Sequence, residues 1–154
     1  MWWNLLIGFI LPWIAGYWYL REDLTVIVRI GPVAGLIAFA FNEIGYQSGW
    51  WSVTPSGAGI LGILPYNFGI FPVLACALLF TLQKIAVRPV ALIPLFSVLK
   101  TLLESILVVT GKVVYDNGWN LLWTYVSYLI ACSLTYGAYR VVHKYSLISF
   151  KRRG

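Results

Sequence analysis

Five long apolar stretches, with nearly all of the cations lying at one set of their ends, constrain this chain more than any other feature it has. Taken as antiparallel helices with the N-terminus outside, they put Arg21, Arg29, Lys84, Arg88, Arg140, Lys144, Lys151, Arg152 and Arg153 on the inner side and only Lys112 on the outer one. Lys100 falls at the midplane. An excess of Lys and Arg marks the cytoplasmic side of a membrane protein. The sequence therefore predicts an all-α, polytopic membrane helix bundle with five transmembrane helices, N-terminus outside and C-terminus cytoplasmic, forming a single membrane domain over residues 1–154.

Composition agrees, since 60% of the residues are apolar and only 10% charged, whereas a soluble domain carries about 25% charged residues. A mean hydropathy of +0.82 argues against disorder. The net charge of +6 is concentrated at the segment ends and in the tail. It is read as a topology signal and a set of lipid-headgroup contacts, not as a nucleic-acid surface. Cys76 and Cys132 lie inside apolar segments, where a thiol behaves as a small hydrophobe. Neither a disulfide framework nor a metal spacing follows from them, and no cofactor motif is expected.

The helices are placed at residues 2–20, 24–42, 66–86, 90–110 and 119–142. The first is close to the roughly 20 residues that cross a bilayer. It lacks a basic leader and a small-residue cleavage site, so it is expected to be retained, with a kink at Pro12. Arg29, inside the second helix, is close enough to the inner interface to snorkel. Gly31 and Gly35 in the same helix have the spacing of a close helix contact, although Pro32 between them fits a kink equally well. Residues 46–65 form an uncharged external loop rich in Gly, Pro and Trp, lying in the interface or re-entering the bundle. Gly57, Gly59 and Gly62 match a dinucleotide fingerprint, but no strand precedes them. Residues 143–154 are the basic cytoplasmic tail. Trp2, Trp3, Trp50, Trp51 and Trp119 fit an outer aromatic belt, and Tyr17, Trp18, Tyr19, Tyr136 and Tyr139 an inner one.

The chemistry concentrates in the fourth helix. Lys100 and Glu104 are one turn apart on one face, extended by Ser97, Thr101 and Ser105. The opposite face, Leu95, Leu99, Leu102 and Ile106, suits lipid or apolar packing. A charged side chain at mid-membrane costs on the order of 2.5–3.5 kcal/mol on insertion scales, so it should meet a partner or a water-filled cavity. The fifth helix presents Asn120, Thr124, Ser127 and Tyr128, and Asn42, Glu43 and Asn67 belong to the same outer half. The candidate ligand-binding residues are Glu43, Asn67, Lys100, Glu104 and Asn120. The bland alternative is that Lys100 and Glu104 neutralise one another while the amides and hydroxyls join helices. His143 is the sole histidine and sits at the inner interface. Without a second histidine or a serine elbow, no catalytic residue is assigned; Ser48 and Ser56 have no evident base.

The strings Ile63 to Val73, Arg88 to Glu104 and Gly111 to Ala131 resemble an uncharacterised family of small multi-pass membrane proteins from Bacillus and related spore-forming Firmicutes. The turn Tyr115, Gly118, Trp119, Asn120 is the most specific part of that resemblance. It implies a bacterial plasma-membrane location and a similar five-helix fold. It implies no activity.

Three functions compete. The first is a non-enzymatic protein of the lipid bilayer that binds or passes a small polar solute or ion through an outward-facing polar cluster. The second is an accessory subunit that packs on a membrane-protein partner, or on further copies of itself, through Gly31 and Gly35 or through Ser133 and Gly137. The third is an intramembrane enzyme acting on a lipid, which would need Glu43, Glu104 and Asn120 to converge on one cavity.

Overall fold

The computed structural model describes residues 2–54, 59 and 61–151, with side chains as far as Lys144. Ser56, Gly57, Arg152 and Arg153 lie outside the described residues, as does the side chain of Lys151. Among the described residues, five helices are long and apolar enough to cross a membrane. We label them α1 (Trp2–Leu20), α2 (Thr25–Gln47), α3 (Leu64–Lys84), α4 (Pro89–Val109) and α5 (Leu121–Lys151). Two short strands, β1 (Trp51–Val53) and β2 (Val113–Tyr115), complete the fold.

Each departure from the predicted boundaries has a local cause. Pro12 lacks an N–H and its ring crowds the carbonyl one turn earlier. In α1 the helix widens to a π-helical turn over Leu6–Ile10, just ahead of that proline. α2 continues past residue 42 to Gln47, because Glu43 and Asn42 find partners: the Gln47 amide donates to Glu43 Oε1 at 2.8 Å and the Asn42 amide to Asn67 Oδ1 at 2.5 Å. α3 begins at Leu64 and is broken at Gly69, where a Cβ would collide with the backbone of Gly8 and Phe9 on α1. α5 starts after Asn120 and runs through the predicted tail to Lys151.

Within the predicted external loop, β1 pairs antiparallel with β2, with Trp51 opposite Tyr115 and Val53 opposite Val113. Asn4, buried on α1, ties this region down by donating to the carbonyl of Gly62 at 3.0 Å and by accepting from the Tyr66 hydroxyl.

α3 is the central and most deeply buried helix, packed against α1, α2, α4 and α5. It carries no charge between Leu64 and Gln83 and offers Val73, Ala75, Cys76, Leu78 and Leu79 to its neighbours. Close packing does the work that water exclusion does in a soluble core. Gly16 of α1 lets Val73 approach so closely that a Cβ would lie 2.7 Å from its Cγ1. Gly31 and Gly35 are both buried, and Gly35 packs on Phe68 and the Asn67 carbonyl of α3. A Cβ on Gly31 would meet only Ile27 of its own helix, so of the two glycines Gly35 is the one that makes the close approach within the chain.

The outer surface is apolar around the bundle: Ile14, Val28, Leu36, Leu95, Leu102, Ile106, Val109 and Leu122 are all exposed. A soluble monomer rarely exposes contiguous apolar area on this scale. The antiparallel helices bring Arg21, Arg29, Lys84, Arg88, Arg140 and Lys144 to one end of the bundle, and place the β1–β2 ribbon at the other. We call these the basic end and the ribbon end.

Candidate functional site

A cavity of about 190 Å³ opens in the ribbon half between α3, α4 and the β-ribbon. A smaller one of about 40 Å³ adjoins it toward α2 and α5. Asn42, Trp51, Phe71, Lys100, Glu104 and Tyr128 line both, so they form the wall between the two spaces. The remaining lining of the larger cavity is largely aliphatic, with Ile70, Leu74, Leu103 and Leu107 prominent. It reaches the flank of the bundle at Ile7 of α1 and Ile106 of α4, both of which are exposed.

Lys100 and Glu104 share one face of α4, as a separation of four residues requires, yet no direct ion pair joins them. The reading in which they neutralise one another by contact does not hold. Their situations differ sharply. The Glu104 carboxyl accepts hydrogen bonds from Tyr115 at 2.6 Å and from Tyr128. Since the Tyr115 proton goes to Glu104, its oxygen accepts from Thr124 at 2.8 Å, and Thr124 in turn accepts from the Trp119 indole at 2.8 Å. One carboxyl thereby ties β2 and the first third of α5 to α4. Burial, the Glu104 charge and the hydrogen bond to it push the Tyr115 phenol above its ordinary value.

Lys100 is only 5% exposed and has no hydrogen-bond acceptor among the described residues. Its ammonium lies 5.8 Å from the centroid of the Tyr128 ring. A ring face attracts a cation by roughly 0.5–2 kcal/mol but satisfies none of its three N–H donors as an acceptor atom would. The polar centre of the bundle therefore has a carboxyl whose partners are complete and an ammonium whose partners are missing.

Of the other predicted residues, Asn67 is fully buried and reaches the cavity wall only through Asn42. Its own amide nitrogen has no partner. Glu43 lies outside both linings, held by Gln47, with Oε2 buried and unpartnered. Asn120 is exposed and caps α5, accepting from the backbone N–H of Leu122 at 2.9 Å and of Trp123 at 3.3 Å. That is the ordinary work of an Asn at a helix N-cap. Glu43, Glu104 and Asn120 consequently do not converge on one cavity, as a lipid-processing enzyme built from them would require. Among the described residues, no three His, Cys, Asp or Glu side chains cluster as metal ligands would.

Sequence reasoning missed Trp51 and Asn42 as wall residues and Tyr115 as a donor to Glu104. Trp50 and Trp119 stack with centroids 4.8 Å apart, and Trp51 lies 4.8 Å from Trp119. Trp51 lines both cavities and Trp119 the smaller one, with Trp50 stacked behind them. Their signal would have been the pairing of β1 with β2, which no local periodicity reveals.

Comparison with family models, with curated proteins and with solved structures returns no match for this chain.

Proposed function

We propose that the protein is an integral membrane protein that binds a small amphiphile bearing an acidic group, with the acid on Lys100 and the apolar body in the larger cavity. The observation that carries this reading is a lysine only 5% exposed whose ammonium has no acceptor among the described residues, set in the wall of a mostly aliphatic space of about 190 Å³. An unpaired buried charge is expensive, and an anion supplied by a ligand would offset that directly. An apolar cavity of about 150 Å³ accepts benzene, so the space suits a body somewhat larger than that. Because Glu104 already has its donors and makes no ion pair with Lys100, the ammonium is the group in the wall left without a partner.

The orientation that goes with this reading has the basic end in the cytoplasm, the N-terminus outside and the cavity in the outer leaflet of a bacterial plasma membrane. Exposed Ile7 and Ile106 mark the route from the lipid phase, between α1 and α4, which do not pack closely on each other. The role is that of a binding protein or carrier and not that of an enzyme. An accessory role keeps one supporting feature, the exposed Ser133 and Gly137 on α5, where a Cβ on Gly137 would meet nothing within 4 Å.

The test uses the tryptophans beside the cavity. Purified protein in phosphatidylcholine nanodiscs is titrated with bromohexanoate and, separately, with bromohexanol, whose bromine quenches indole fluorescence on contact. Saturable quenching by the acid that weakens about tenfold or more in Lys100→Met, with the alcohol unaffected by the substitution, is the expected result. Equal, non-saturating quenching by both compounds in both proteins would defeat the proposal.

A further inference from the structure

A second cavity, independent of Lys100, lies at the basic end. It has a volume of about 360 Å³ and sits between the first two turns of α2, the last turn of α3 and the α5 segment around Tyr139. Asp23, Arg29, Gln83, Tyr139 and His143 are its polar lining, together with Thr25. The sequence reading leaves Arg29 as a snorkelling side chain and His143 as a solvated one, and the fold brings the two together.

Arg29 shares this lining with Tyr139 and His143, and its donors are not consumed. Arg29 makes no ion pair or hydrogen bond among the described residues, so its planar fork of N–H groups is available. Gln83 Nε2 donates to the Tyr139 hydroxyl at 3.1 Å, which leaves the phenolic proton free to point away from Gln83. The His143 ring stacks on Tyr139 with centroids 5.7 Å apart, which orients its edge. Asp23 is the one carboxylate in the lining, and it accepts from both the N–H and the hydroxyl of Thr25. Local bonds thus hold it at the start of α2, where it does not pair with Arg29. Arg140 lies one turn before His143 on α5, and Lys144 immediately after it. Both add positive charge beside the cleft. Leu24, just before α2, and Val28 on it are exposed apolar side chains at the same end of the helix.

We infer that this cleft binds a phosphate ester, with Arg29 as the bidentate anchor and Tyr139 and His143 as further donors. A guanidinium matches two phosphate oxygens in a way that an ammonium cannot. Basic pockets between helices on the cytoplasmic side are suited to anionic headgroups, and the site lies where such headgroups are found if the basic end is cytoplasmic. The same chemistry would accept the phosphate of an anionic phospholipid or of a soluble ester.

The experiment separates these sources. Full-length protein is placed in nanodiscs of mixed phosphatidylglycerol and phosphatidylcholine, and the lipid it retains is counted by native mass spectrometry. In a second arm, protein in pure phosphatidylcholine is titrated with inorganic phosphate by calorimetry. Arg29→Gln, Arg29→Lys and His143→Gln are compared with the parent, and each variant's helicity and melting are checked first. Retention of phosphatidylglycerol over phosphatidylcholine that falls about tenfold in Arg29→Gln and is only partly restored in Arg29→Lys assigns a lipid headgroup. Phosphate binding with the same Arg29 dependence, without lipid preference, assigns a soluble ester. Absence of both, or a lipid preference unchanged in Arg29→Gln and His143→Gln, overturns the inference.

Discussion

Replacing Glu104 with Met and, separately, Lys100 with Met should have opposite consequences, although the two residues lie one turn apart on α4. Met is about the length of either side chain, so packing changes little, and the difference reports polar satisfaction. In Glu104→Met, the Tyr128 hydroxyl loses its only hydrogen-bond partner among the described residues, while Tyr115 keeps Thr124. Stranding a buried hydroxyl costs about 1–3 kcal/mol, and the weakened Tyr115 bond adds about 1 kcal/mol. Lys100 would also become the only charge left in the wall. The expected loss is about 2–4 kcal/mol. In Lys100→Met no protein hydrogen bond is broken, since none is present, and a buried charge is removed. Stability should stay within about 1 kcal/mol or rise. Unfolding in mixed micelles by SDS titration, followed by far-ultraviolet circular dichroism, measures both. Equal losses in the two variants would mean that Lys100 is satisfied by protein groups, and the argument for an anionic ligand would fail.

Further expectations concern packing, charge and orientation. Gly69→Ala should prevent proper folding or lower the melting temperature sharply, because a Cβ there meets the α1 backbone, whereas Gly137→Ala should be nearly silent, because its Cβ meets nothing within 4 Å. Circular dichroism melting of the two variants decides this. At the basic end, the bond and charge of Lys84 hold the Glu22 carboxyl below its ordinary value. Its folded value being the lower one, the small stabilisation is present at neutral pH and is lost as pH falls through that lowered value. Lys84→Met should therefore move the Glu22 titration upward, as read by carbon NMR of the carboxyl; an unmoved titration would deny the pair. For orientation, Asp116→Cys should react with an impermeant maleimide on intact cells and Lys144→Cys only after permeabilisation, while the buried native Cys76 and Cys132 stay silent. The reverse pattern would invert the bundle.

The five helices were legible because each needs only a long apolar run, and because the cations punctuate those runs. Lys100 and Glu104 were legible for the same reason, since a charge in such a run is conspicuous. What could not be read was how each would be satisfied. Glu104 is completed by Tyr115, which lies on a strand beyond the helix end, and by Tyr128 from α5. Asn120 carries the same polar signal as Asn67, yet one caps a helix and the other is buried inside the bundle. Only the start of α5, fixed by tertiary contacts of the ribbon, separates the two. Likewise the Gly31 and Gly35 spacing announces a close approach without saying whether the approaching helix belongs to the same chain.

The most direct test is a diffraction structure of the protein with bromohexanoate, recorded at the bromine absorption edge. The account predicts an anomalous peak among Ile70, Leu74 and Leu107, with the ligand carboxylate within hydrogen-bond reach of Lys100 Nζ. A cavity without bromine, with the Lys100 ammonium bonded to a protein acceptor, would contradict it.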